Sequence, residues 1–215
     1  MDISFEASVA RRSAGEMHGR LEAGWRRGRA AALLAAWLLV PAAVLAADPA
    51  RPPALPGGFP AGWEFRAGSY IHDPLSPEKG AADLNVEFLT PQLYRFSSPA
   101  LEFIVPRLNA GTTISFNGKT SILYAGLAVD FNLTDALFVE GTLGGAFHNG
   151  TTGRFAVPGR NPMGCNAAFH ESASVGYRFS PNWSVLATVE HTSNAGFCAQ
   201  NRGLTNVGAR IAYTF

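Results

Sequence analysis

The feature that most constrains the fold is a series of segments of about ten residues in which apolar and polar residues alternate. A period of two is typical of β-strands, because successive side chains point to opposite faces. No window after residue 46 shows a competing helical period. Eight strands are predicted, at 62–71, 82–90, 102–115, 121–132, 136–147, 168–179, 182–194 and 204–215. Turn residues such as Asn117-Gly118 and Ser180-Pro181-Asn182 separate several of them.

The N-terminal residues have the pattern of an export signal. Four arginines between residues 20 and 29 precede an apolar run from Ala30 to Ala46 that ends in small residues. This order predicts a signal peptide over residues 1–46, cleaved after Ala46 or Ala47. The alternative is a transmembrane anchor, but the run is at the short limit for spanning and contains Pro41. Translation could begin at Met1 or at Met17.

The mature chain is predicted to form a single domain. Residues 47–61 are rich in proline and are expected to be an irregular lead-in, and residues 62–215 hold the strands. An exported chain with eight such strands is predicted to be an all-β protein, an eight-stranded antiparallel transmembrane β-barrel in the outer membrane of a Gram-negative cell. Backbone groups in lipid must all be paired, so the sheet has to close. With eight strands the lumen is filled by side chains, which argues against a pore.

The charge of the chain excludes one class of partner. The formal net charge is +1, and no basic field is present for nucleic acid.

Both termini of such a barrel normally lie on the periplasmic side. The connections after strands one, three, five and seven are therefore expected to be extracellular.

Two cysteines lie in the exported part of the chain. Cys165 falls in the predicted connection after strand five and Cys198 in the one after strand seven, so both lie on the same side of the membrane. An even number of cysteines in an oxidising compartment favours a disulfide between them. The alternative is two free thiols. The pair lacks the spacing of metal ligands, and no metal site is predicted.

Strand seven carries the candidate catalytic residues on one face. Val185, Ala187 and Val189 share a face with His191 and Ser193. The more apolar face of a barrel strand meets lipid, so this histidine and serine are predicted to point towards the membrane near its extracellular rim. Serine needs a base to become a nucleophile, and two residues on one strand face are close enough for that interaction.

The residues after this pair offer further polar groups. Asn194 and Asn201 carry amide donors, and Gly196 allows close approach of its backbone N–H, so these three are candidates for holding an oxyanion. On strand eight, Thr205 is expected to lie roughly opposite His191.

The stretch His191-Thr192-Ser193-Asn194-Ala195-Gly196, followed by Asn201 and by a strand ending in Tyr213-Thr214-Phe215, resembles the signature of the lipid A 3-O-deacylase (PagL) family. The resemblance implies an outer-membrane serine esterase that removes an acyl chain from the lipid A of lipopolysaccharide. Ser193 would be the nucleophile and His191 the general base, and Asn194, Gly196 and Asn201 would form or support the oxyanion hole. The family implies no metal and no organic cofactor.

One position departs from the family pattern. The family carries a glutamate four residues after the second asparagine, where it orients the histidine, and this chain has Thr205 there. A threonine hydroxyl accepts a hydrogen bond from imidazole but adds no negative charge. Glu190 is expected to face the lumen, and Glu171 is expected to approach His191 only if the register of strand six is shifted by one residue.

Two other functions are compatible with the same scaffold. One is a non-catalytic barrel that stabilises the envelope or contacts host surfaces, for which the missing acid is the main argument. The other is an acyltransferase, in which a lipid replaces water as the acceptor.

Overall fold

The computed structural model describes residues 62–94, 96 and 104–215, and the described part of the chain forms eight strands. They are β1 (Glu64–His72), β2 (Ala81–Gln92), β3 (Arg107–Ser115), β4 (Ile122–Asn132), β5 (Leu137–His148), β6 (Ala167–Arg178), β7 (Trp183–Ser193) and β8 (Leu204–Thr214). The predicted signal peptide and the lead-in lie outside the described residues. Within those residues, no helix is long and apolar enough to cross a bilayer.

The strands close into a barrel in which each strand pairs with its neighbours in the chain and β1 pairs with β8. All of the pairings are antiparallel, and Glu64 lies opposite Thr214 at the closure. The predicted eight-stranded antiparallel barrel is therefore confirmed. The start of β3 was wrong by five residues, since β3 begins at Arg107 rather than at residue 102, and the other predicted bounds lie within two residues of the observed ones. The register between β2 and β3 shifts between Leu89 and Gln92.

Burial alternates along each strand as the period of two requires. In β7, for example, Leu186, Thr188 and Glu190 are buried in the lumen, whereas Val185 and Val189 are exposed on the outer surface. Large apolar side chains cover the outward faces of the other strands in the same way. The molecule thus has a polar interior and an apolar exterior, the reverse of a water-soluble barrel.

Ion pairs fill the lumen. Arg66 donates two hydrogen bonds of 2.6 Å to the carboxylate of Glu140 and also contacts Glu64 and Glu87. Arg210 pairs with Glu87 in the same network. A buried charge is costly unless it is paired, so this network allows the barrel interior to be polar and still packed.

Four connections lie at one end of the barrel and are called the loop rim: residues 73–80, 116–121, 149–166 and 194–203. The chain termini of the barrel lie at the opposite end. There Trp183, Tyr213 and Phe215 form an aromatic cluster, with ring centroids 4.8 Å and 5.1 Å apart. Phe215 is also tied to the start of the barrel, since its N–H donates to the Trp63 carbonyl at 2.9 Å.

Candidate active site

His191 and Ser193, the candidate catalytic residues from the sequence, lie at the C-terminal end of β7, next to the loop rim. The alternation of burial places both on the outward face of the strand, since Thr192 between them is buried and each of them is partly exposed. Both side chains therefore lie on the outward face of β7, and the expectation that this face meets the membrane stays a prediction.

His191 is held by residues of β8 and of the connection that precedes it. Its Nδ1 lies 2.8 Å from the Thr205 hydroxyl oxygen, and the two residues are direct cross-strand partners. Gly203, whose φ is +74°, packs against the other edge of the ring: a Cβ added there would come within 2.9 Å of Cε1 and 3.2 Å of Nε2. The imidazole is thus oriented with Nδ1 towards Thr205 and Nε2 towards the rim.

Ser193 is two residues further along β7 and pairs with Phe169 of β6. The Phe169 ring lies 6.1 Å from the ring of Phe197, so two exposed aromatic rings lie beside the serine. No hydrogen bond joins Ser193 to His191 among the described residues. Catalytic hydrogen bonds are often long or poorly aligned before a substrate binds.

Asn194 organises the connection that follows β7. Its buried side-chain amide donates to the carbonyls of Met163 and Gln200 at 2.6 Å, and its Oδ1 accepts from the N–H of Gly196 at 2.9 Å. The next two residues have positive φ angles, +52° at Ala195 and +84° at Gly196. The side chain of Asn194 and the N–H of Gly196 are therefore both engaged within the protein.

Asn201 differs from Asn194 because it is exposed and uses only one end of its amide. Its Oδ1 accepts a hydrogen bond of 2.9 Å from the N–H of Asn194. This bond fixes the plane of the amide next to Ser193. The Nδ2 group has no hydrogen bond within the described residues, so it is available to a ligand.

Other parts of the rim anchor the connection 194–203. Cys165 and Cys198 form a disulfide with a Cα–Cα distance of 6.0 Å, which confirms the predicted pairing. Asn161 donates from Nδ2 to the Gly203 carbonyl at 3.2 Å, and the N–H of Arg202 donates to the Pro162 carbonyl at 3.1 Å. The long connection 149–166 therefore holds Arg202 and Gly203, the second of which packs against His191.

Glu78 is the centre of this anchoring. Its carboxylate accepts hydrogen bonds from the backbone N–H groups of Thr120 and Asn161, at 2.8 Å and 3.0 Å, and contacts His72 at 3.0 Å. Burial alone would raise the pKa of Glu78, but these hydrogen-bond donors lower it to about 2. One charged carboxylate thus joins three of the four rim connections.

Sequence reasoning missed the position of one residue. Glu171 is exposed on the outward face of β6 and lies directly opposite His191 in the pairing of β6 with β7. The expected shift of one residue is not needed, and that expectation was wrong. The tight turn between β6 and β7 was the available signal, because a turn of known length sets which residues face each other.

Among the described residues, no group of three or more His, Cys, Asp or Glu side chains is arranged to hold a metal ion. The absence of a cofactor stays a prediction.

The barrel and its outward histidine and serine define a class, the small outer-membrane β-barrel proteins. Within that class, residues 80–214 match the family described as lipid A 3-O-deacylase (PagL). Because the match covers more than half of the chain, the protein belongs to this family.

Two solved structures are similar to this chain, and the first of them supports the fold. The outer membrane enzyme PagL is similar with a TM-score of 0.56 and 17% identity, over 71% of this chain and 99% of that chain. The N-terminal β-barrel domain of OprF from Pseudomonas aeruginosa has a TM-score of 0.49 and 14% identity, over 73% of this chain and 98% of that chain. No curated protein matches the sequence.

Proposed function

We propose that the protein is a lipid A deacylase, which hydrolyses the ester that links an acyl chain to the sugar at its 3-position. The observation that carries the proposal is the arrangement at the end of β7. His191 is bonded through Nδ1 to Thr205, leaves Nε2 directed to the rim, and shares the outward face with Ser193. A hydrolase site on the outside of a barrel is reached by a substrate that stays in the membrane, which supports a lipid as the substrate.

The reaction proceeds in two steps. Ser193 Oγ attacks the ester carbonyl while His191 Nε2 accepts the hydroxyl proton. The bond from the acyl carbon to the sugar oxygen then breaks, and the imidazolium returns the proton to that oxygen. In the second step His191 removes a proton from water while the water oxygen attacks the acyl-serine. The bond from the acyl carbon to Ser193 Oγ then breaks, the fatty acid leaves, and the imidazolium returns its proton to Oγ.

Asn201 is assigned the role of oxyanion donor. Its Nδ2 is the amide donor that lacks a partner, and its orientation is fixed by the bond to the N–H of Asn194. Asn194 and Gly196 support the hole by shaping the turn, because their own donors are engaged. A donor held in place before the reaction stabilises the developing charge without reorganisation.

The charge of the rim supports a phosphorylated lipid as the substrate. The four rim connections carry five cationic side chains and two acidic ones. The cations are Lys79, Lys119, Arg154, Arg160 and Arg202, and the acids are Asp73 and Glu78. A positive rim attracts the phosphate groups of lipid A at the membrane surface.

The test is mass spectrometry of lipid A from Gram-negative cells that express the protein. The wild type is expected to remove one ester-linked hydroxyacyl chain, and Ser193→Ala is expected to leave lipid A intact. Removal that persists in Ser193→Ala would exclude the serine mechanism. Unchanged lipid A with the folded wild type would favour the structural barrel, and an acyl chain gained by another lipid would favour the acyltransferase.

A further inference from the structure

Glu171 is an exception on the outer wall of the barrel. On the outward faces of the eight described strands it is the one carboxylate, and every other Asp or Glu of these strands is buried in the lumen. A charge on a wall that meets lipid is costly, so such a residue calls for a specific role.

A second unusual residue, His191, lies beside Glu171 on the outer wall. His191 is the one histidine on the same outward faces, since His72, His148 and His170 are buried. The two residues are direct partners in the pairing of β6 with β7. The lone carboxylate and the lone histidine of the wall are therefore neighbours.

Thr205 and Glu171 flank the histidine from its two sides. Thr205 is its partner on β8 and binds Nδ1, whereas Glu171 is its partner on β6. Directly opposite residues have Cβ atoms about 5 Å apart, which is within reach of a glutamate side chain. Glu171 has no hydrogen bond or ion pair within the described structure, so its carboxylate is free to turn towards the ring.

We propose that Glu171 is a positioning residue that stabilises the protonated form of His191, and so supplies from β6 the negative charge that Thr205 does not supply from β8. The proposal rests on the deacylase function above, in which His191 becomes an imidazolium when it accepts the Ser193 proton. A carboxylate beside the ring favours that charged form, while the Thr205 hydroxyl keeps the ring oriented. A single acid would both orient the histidine and stabilise its positive charge. Here Thr205 on β8 orients the ring, and Glu171 on β6 stabilises the charge.

The surroundings of His191 contain few competing charges. β8 presents Thr205 and Val207 on the same face, and Gly203 is the rim residue against the ring. The adjacent rim cation, Arg202, donates from its guanidinium to the Leu75 carbonyl at 2.9 Å. Glu190, next in the sequence, is buried in the lumen and contacts Asn206.

The experiment compares four variants of the folded barrel in detergent micelles. Glu171→Gln removes the charge and keeps the shape, Glu171→Asp keeps the charge, and the double variant Glu171→Gln with Thr205→Glu moves the charge to β8. Ala173→Gln is the matched control, because Ala173 lies two residues away on the same outward face.

Two measurements are made on each variant. The first records the imidazole NMR signals of His191 at one pH, which are expected to change in Glu171→Gln and to stay as in the wild type in Ala173→Gln. The second is kcat for lipid A, which is expected to fall about tenfold in Glu171→Gln with KM nearly unchanged. Glu171→Asp and the double variant should recover both quantities.

The outcomes separate this proposal from the deacylase function. If Glu171→Gln matches Ala173→Gln in both measurements while the wild type deacylates lipid A, the role of Glu171 is excluded and the function stands. If the wild type does not act on lipid A, the function fails, and the NMR signals of His191 still decide whether Glu171 and His191 interact.

Discussion

The Nδ1 atom of His191 lies 2.8 Å from the hydroxyl oxygen of Thr205, its direct partner across β7 and β8. In the proposed mechanism, Thr205 orients the histidine without bringing a charge. We expect Thr205→Val to lower kcat about fivefold, since one neutral hydrogen bond contributes about 1 kcal/mol. Thr205→Ser retains the hydroxyl and is the control. Equal rates for the two variants, measured on lipid A in detergent, would show that the bond has no orienting role.

Replacing Asn201 and Asn194 by alanine should give different defects. Asn201→Ala is expected to lower kcat by about 10² with a smaller loss of stability than Asn194→Ala, because it removes the proposed oxyanion donor and only one hydrogen bond, that from the N–H of Asn194. Asn194→Ala should lower the midpoint as well, because three of its hydrogen bonds hold the buried part of the connection. Kinetics and thermal unfolding of both variants test the assignment. A wild-type kcat in Asn201→Ala contradicts it.

Gly203→Ala is expected to displace the His191 ring. The new Cβ would lie 2.9 Å from Cε1, so the imidazole must move away from the rim. Gly159→Ala is a matched control, because Gly159 has nearly the same φ, +72°, with no atom within 4 Å of an added Cβ. Both variants should lose a similar amount of stability through backbone strain, about 1 kcal/mol. Activity should be lost only in Gly203→Ala, and equal activities in the two variants would disprove the contact.

Reduction of the disulfide should destabilise the barrel. Cys165 and Cys198 are 33 residues apart, and closing a loop of that length contributes about 3–4 kcal/mol in the chain-entropy model. The double variant Cys165→Ser with Cys198→Ser is expected to unfold at a lower denaturant concentration than the oxidised wild type, and to match the reduced wild type. Activity should fall too, because the bond anchors the connection that carries Asn201. A reductant effect that persists in the double variant would point to another cause.

Low pH should destabilise the folded protein, because protonation of Glu78 weakens the contacts that join the rim connections. The folded pKa of about 2 is below the ordinary value, so the charged carboxylate contributes stability that is present above about pH 4.5 and is lost as the pH falls towards 2. In Glu78→Gln this part of the pH dependence should vanish, and the variant should be less stable than the wild type at pH 7. Unfolding midpoints across this pH range provide the measurement. Parallel curves for the two proteins would exclude Glu78 as the titrating group.

Much of the fold could be predicted from local patterns. The period of two defined each strand and its outward face, and therefore the shared face of His191 and Ser193. The strand count placed both cysteines at one end, where the disulfide is found. These predictions succeeded because side-chain alternation is a property of a single strand and needs no knowledge of its neighbours.

The surroundings of the site were harder to predict. Glu171 was expected to approach His191 only if the register of strand six shifted by one residue. However, Phe169, Val175 and Tyr177 share its face of the strand, and these apolar residues indicate that this face is the outward one. Asn194 was expected to form or support the oxyanion hole, and its bonds to the Met163 and Gln200 carbonyls were not foreseen from the sequence. Both features depend on chain segments that are distant in sequence.

The sequence by itself determined the barrel, the outward position of the histidine and serine, and the replacement of the expected acid by Thr205. Only the tertiary structure decided which residues flank the histidine. Register between strands and contacts between rim connections depend on the closure of the whole sheet, since one residue of slip moves every side chain to the other face. That closure aligned Glu171 and Thr205 on the two sides of His191.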